Sequence, residues 1–138
     1  MGLIAQLALQ KDAIVGKWFA RVVDTYPAET ARFLRAQKDP FANPVGQATR
    51  QGLTTLVTLL EAELDEAAAR AALDPIIRVR AIQAFSPAQA TGFVFDLKAI
   101  LRDVKTAAPA TMDEWTAIDR RIDQMALMAF DIYMQCRE

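Results

Sequence analysis

From Thr111 to the last residue, Glu138, the chain contains neither proline nor glycine, and that unbroken run limits what the rest can be. It opens on Thr111-Met112-Asp113-Glu114. There the threonine hydroxyl and the glutamate three residues on form a capping box, and the acidic side chains suit the positive end of a helix dipole. The run reads as one helix. Within it Trp115, Ile118, Ile122, Met125, Ala129, Ile132 and Cys136 are spaced 3, 4, 3, 4, 3, 4, the a/d pattern of a coiled-coil-like seam. Leu127, Phe130 and Met134 lie on a second apolar strip of the same helix. One strip belongs to the domain's own core and the other needs a partner; spacing alone leaves open which is which. The expected consequence is a two-fold homodimer through this helix. Its interaction residues are Trp115, Ile118, Ile122, Met125, Ala129, Ile132, Met134 and Cys136.

The rest of the chain repeats the helical period. Ile14, Trp18, Val22 and Tyr26 recur every four residues, Pro27 redirects that helix, and a short segment follows at 31–37. The stretch KDPFANPVG, residues 38–46, is the clearest loop. Leu53, Leu56, Val57, Leu60 and Leu64 then form one buried stripe. Asp74-Pro75 reads as an N-cap with proline in the first helical position, opening a short helix through Ile76, Ile77 and Ile82. Ser86-Pro87-Ala88-Gln89 is a second capping box, and the helix it starts should bury Phe93, Leu97, Ile100 and Val104. No strand has a partner, and no linker or repeat divides the chain. The expectation is a single all-α domain over residues 1–138, with five to seven helices.

Chemistry is constrained by what is missing. The chain has no histidine and a single serine, so a Ser-His-Asp or Cys-His arrangement is impossible, as is any metal site needing imidazole. Its five glycines are scattered and form no phosphate-cradling loop. The expected reading is not an enzyme, with no cofactor and no metal. A net charge of −1 without a basic stripe argues against nucleic acid. The longest uncharged run, residues 81–95, is 15 residues with a proline inside, too short to cross a bilayer. The N-terminus lacks the pattern of a signal peptide, and one cysteine cannot form an internal disulfide, so the expected location is the cytoplasm.

Several residues invite sharper readings, each against a plainer one. Ser86 as a nucleophile or phosphorylation site competes with Ser86 as a helix cap, which explains its whole tetrapeptide. Arg78 and Arg80 as an anion site compete with Arg78 pairing to Asp74 while Arg80 faces solvent. Asp119 and Asp123 share a face but have Arg120 and Arg121 between them, as on a solvated charged surface. Cys136 as a redox sensor competes with Cys136 as a small apolar side chain. Trp18, Tyr26, Phe33, Phe41, Phe85, Phe93, Phe95, Trp115 and Phe130 could line a pocket for an apolar ligand or flat cofactor, or simply fill a core.

The blocks LDPIIRVRAIQAFSPAQATGFVFDLKAILRD (residues 73–103) and DRRIDQMALMAFDIYMQCRE (residues 119–138), with NPVG at 43–46 upstream, give the chain a recognisable likeness. It resembles the N-terminal domain of the RsbRD-type RsbT co-antagonist proteins, stressosome-associated regulators of bacterial stress signalling. The resemblance implies a globin-like all-helical fold that binds no haem, which the lack of histidine suits. It also implies a sensor or interaction module; the expected departure from the full-length family is a stand-alone copy without the C-terminal STAS domain, which argues against direct anti-sigma-factor antagonism. In full-length relatives the last helix leads into that domain, so its outer face is expected to serve coupling or dimerisation. The leading expectation is a non-enzymatic signalling sensor or adaptor that dimerises and meets another signalling or redox protein. The alternatives are a small-ligand or cofactor-binding protein, or an accessory subunit of a respiratory enzyme complex.

Overall fold

Both capping boxes form as the sequence requires. In the computed structural model Ser86 Oγ accepts from Gln89 N–H at 3.2 Å while Gln89 Oε1 accepts from Ser86 N–H at 2.9 Å. Thr111 and Glu114 exchange the same pair of bonds at 3.1 and 2.9 Å. The structure describes residues 2–36, 39, 41–106 and 108–138; Gln37, and Lys38 and Pro40 of the expected loop, lie outside them. The described residues form eight α-helices and no strand: α1 (Leu3–Leu9), α2 (Lys11–Asp24), α3 (Ala28–Ala36), α4 (Pro44–Leu59), α5 (Glu66–Ile82), α6 (Pro87–Thr91), α7 (Phe93–Arg102) and α8 (Met112–Arg137). The all-α class stands. The count exceeds the expected five to seven, in part because the Ser86-capped helix divides at Gly92 into α6 and α7.

Asp74-Pro75 starts nothing. The helix begins nine residues earlier, where Asp65 Oδ1 accepts from Ala68 N–H at 3.1 Å, and it carries Pro75 in its interior. The alanine-rich sequence from 67 to 72 propagates helix strongly. Pro75 and Ala71, the residue whose carbonyl loses its usual donor, are both exposed, so water takes that bond's place. The buried face of this helix is set by its packing against α4 and α8. Leu73, Ile76, Ile77, Arg80 and Ala81 are buried, whereas Ile82, expected inside, stands in solvent.

Arg80 is the largest correction. Expected on a solvated face, its side chain is wholly buried. Nε donates to Ala90 O at 3.0 Å, Nη2 to Gln89 O at 2.7 Å and Nη1 to Thr25 Oγ1 at 3.0 Å. The two carbonyls lie at the end of α6, so one guanidinium closes that short helix and ties it to the end of α2. The rings of Phe85, Phe93 and Tyr26 stand 4.5, 5.1 and 5.4 Å from Arg80 Cζ, and their faces attract the cation. Burial pulls the guanidinium below its ordinary value, with Tyr26 and Asp96 acting in the opposite direction.

The turn that follows Arg80 holds the one positive-φ residue among those described, Ala84 at φ 62°. Ala84 N–H bonds to Ala81 O and Phe85 N–H to Arg80 O, both at 3.3 Å, which makes the turn a Schellman ending with alanine in the seat glycine favours. Ala84→Gly is therefore expected to stabilise the protein by about 0.5–1 kcal/mol, the relief of left-handed strain exceeding the added freedom of the unfolded chain. The urea midpoint should rise; a fall would mean the turn is not strained.

The start of α4 uses glycine for a different reason. Asn43 caps it, Oδ1 accepting from Gly46 N–H at 2.9 Å and Nδ2 donating to Leu34 O at 3.1 Å, so one side chain holds α4 to α3. A Cβ on Gly46 would fall 2.7 Å from Asn43 Cγ and break that arrangement. Around these joints the apolar stripes of α1, α2, α4, α5, α7 and α8 meet in one cluster, centred on residues such as Trp18, Leu56, Ile77, Leu97 and Ile122. Trp18 Nε1 donates to Phe93 O at 2.8 Å, so even the buried indole is satisfied. Helix α8 lies along α5 and contacts α6 and α7 as well.

Candidate interaction face of the last helix

The structure separates the two apolar strips of α8. Ile118, Ile122, Met125, Ala129 and Ile132 are buried within the chain's own core. The a/d seam is an intramolecular one, filled by the helices α8 rests on. That corrects the expected interaction set: those five residues have no surface to offer a partner. Trp115 is partly buried, with Arg102 Cζ 3.9 Å above its ring. Cys136 is partly buried beside Arg78, Ala81 and Ile82. Of the eight residues, Met134 alone is exposed.

The outward strip is the second one. Leu127, Phe130 and Met134 keep 69, 45 and 43% of their surface in solvent, at i, i+3 and i+7, on one face of α8. Ion pairs hold the helix on both sides of this strip. Arg70 on α5 reaches Asp131 at 3.3 Å, and Lys98 and Arg102 on α7 reach Asp123 and Asp119 at 2.8 and 3.4 Å. Asp119 and Asp123 thus belong to a charged surface. Arg78 pairs with Asp74 at 2.8 Å, the partner the sequence suggested. Phe95 on α7, half exposed with Lys98 Nζ 5.5 Å from its ring centre, adds apolar surface one turn before the lysine that grips Asp123. Three large apolar side chains in register, with paired charges beside them, form one exposed apolar strip and the candidate interaction face.

The aromatic residues do not line one interior. Trp18, Tyr26 and Phe93 are buried, Phe85 and Trp115 partly so, and Phe33, Phe41, Phe95 and Phe130 are exposed. Among the described residues no group of three or more His, Cys, Asp or Glu is placed to hold a metal, and no helix is long and apolar enough to cross a membrane. Sequence reasoning missed Arg80 as a structural centre. The signal was present: counted from Leu73, position 80 falls on the buried stripe.

Residues 12–138 match the family described as RsbT co-antagonist protein rsbRD N-terminal domain, and the chain belongs to that family. No curated protein and no solved structure matches it.

Proposed function

We propose that this chain is a non-enzymatic signalling module of bacterial stress or redox regulation, a cytoplasmic sensor or adaptor that works by pairing with a second copy and contacting another signalling or redox protein. Its family, named for co-antagonism of RsbT, supports the signalling class. The observation that carries the pairing is the outward strip of Leu127, Phe130 and Met134. A second copy suits that strip because the charges around it are self-complementary. Asp123, which also meets Lys98 of its own chain, and Arg137 each lie seven residues from Phe130 along α8, and Arg120 and Glu138 lie ten and eight residues from it. Two helices crossing antiparallel at Phe130 bring each copy's Asp123 to the other's Arg137, whereas parallel stacking sets like against like.

Light scattering of the wild type beside Met134→Glu and Ile132→Glu tests the pairing. The wild type is expected to be a dimer, and Met134→Glu a folded monomer, because a charge is placed in the seam but outside the core. Ile132→Glu puts its carboxylate into the chain's own interior and is expected to lose the fold. A wild type that stays monomeric at high micromolar concentration, or a Met134→Glu chain that still pairs, would overturn the reading.

A further inference from the structure

Between α3, the start of α4 and the end of α5 lies a hollow of about 160 Å³. Tyr26, Leu34, Val45 and Val79 line it, together with Thr30 and Gln83, and none of its walls carries a charge. Asn43 also borders it but has turned both ends of its amide to protein, to Leu34 O and Gly46 N–H. The walls are mostly apolar, so water gains little by filling the space. Neither the Thr30 hydroxyl nor the Gln83 amide bonds to another group among the described residues, and both remain available to a guest. Helix α3 buries only Ala31 and Leu34, so little apolar contact opposes a small shift to admit one, while the Asn43 bond to Leu34 O and the Arg35–Asp24 ion pair keep it in place.

We infer that this hollow binds a small uncharged aromatic molecule with one hydrogen-bonding edge, of phenol to indole size. A cavity of about 150 Å³ is known to accept benzene, and this one opens to solvent on one side. Tyr26, one of its lining residues, has its ring 5.4 Å from Arg80 Cζ and tilted against Phe85 at 5.4 Å. Phe85 O in turn accepts from Tyr133 Oη on α8 at 2.5 Å. The guest therefore sits against the same aromatic cluster that anchors the last helix. Binding here goes beyond the pairing proposed above and does not depend on it.

The test is amide-shift mapping of the isotope-labelled full chain during titration with phenol and, separately, indole. The expected result is saturable binding with Kd on the order of 0.1–1 mM, the range open to so small a ligand. The largest shifts should fall at Thr30, Leu34, Val45, Val79 and Gln83. Val79→Phe and Val45→Phe fill the hollow from different walls, and each should weaken binding by about tenfold or more. If one variant fails to fold, the other carries the comparison, and the wild-type map decides if both fail. No saturable shift up to about 5 mM of either probe would overturn the inference, given that range. So would shifts centred elsewhere, or undiminished affinity in a folded variant. A monomeric wild type that binds as described would leave this inference standing while sinking the dimer.

Discussion

Arg80→Ala is expected to destabilise the protein by about 3–5 kcal/mol, at the upper end for single substitutions. Three losses combine. Gln89 O and Ala90 O lose their guanidinium donors; the buried Ala90 carbonyl left unpaired costs about 1–3 kcal/mol, and the part-buried Gln89 carbonyl less because water reaches it. The space among Tyr26, Phe85 and Phe93 becomes a cavity. The cation's attraction to three ring faces disappears. Against these stands one gain, since the wild type buries a charge with no carboxylate bonded to it among the described residues and the variant does not. Arg80→Met separates the terms. It restores most of the volume but none of the hydrogen bonds, so it should recover about 1–2 kcal/mol of the alanine loss. Arg80→Lys keeps the charge but cannot reach both carbonyls and Thr25 Oγ1 with one fork, and should fall between the wild type and alanine. Urea midpoints with unchanged slopes measure the series. An alanine variant within about 1 kcal/mol of the wild type would mean that the corner between α5 and α6 is not held by this side chain.

The same side chain shows where the sequence was legible and where it was not. Capping boxes at Ser86 and Thr111 could be read because every residue in them has a local task, and local tasks survive folding unchanged. The Arg78–Asp74 pair was readable for the same reason, being one helical turn long. Asp74-Pro75 misled because it is also a local start signal, yet the helix propagating from Asp65 already had enough momentum to run through it. Ile76 and Ile77 kept the burial expected of them, and Arg80, three residues on from Ile77, lies on the same face. Arg80 and Ile82 exchanged the environments expected of them, because a charged side chain inside is justified only by partners on other elements, here Thr25, Gln89 and Ala90. The two strips of α8 were visible as strips but not as inner and outer, since a 3-4 spacing serves an intramolecular seam and a dimer equally. Only the positions of α5 and α7 resolve it, and no residue of α8 encodes them.

Phe93→Ala is expected to cost about 3–5 kcal/mol and Leu97→Ala about 2–5 kcal/mol, the usual losses when a buried aromatic or leucine is cut back in a packed interior. Both are buried on α7, one turn apart, facing the core. Phe93 has a second task that Leu97 lacks. Its ring lies 6.1 Å from that of Trp18 and 5.1 Å from Arg80 Cζ, joining the indole to the guanidinium. The Trp18 hydrogen bond goes to the backbone carbonyl of Phe93 and survives the truncation, so the loss reports the ring alone. Combining Phe93→Ala with Arg80→Met isolates the contact between ring and cation. The double variant should be less destabilised than the sum of the singles by about 0.5–1 kcal/mol, whereas Leu97→Ala with Arg80→Met should add within about 0.3–0.5 kcal/mol. Tryptophan fluorescence from Trp18 and Trp115 during urea unfolding reads the wild type, the three single variants and the two doubles. A loss below about 1 kcal/mol at both Phe93 and Leu97 would put the wrong face of α7 in the core. Strict additivity at Phe93 would mean that this ring does no more than keep water from the hydrogen bonds Arg80 makes to Gln89 O, Ala90 O and Thr25 Oγ1.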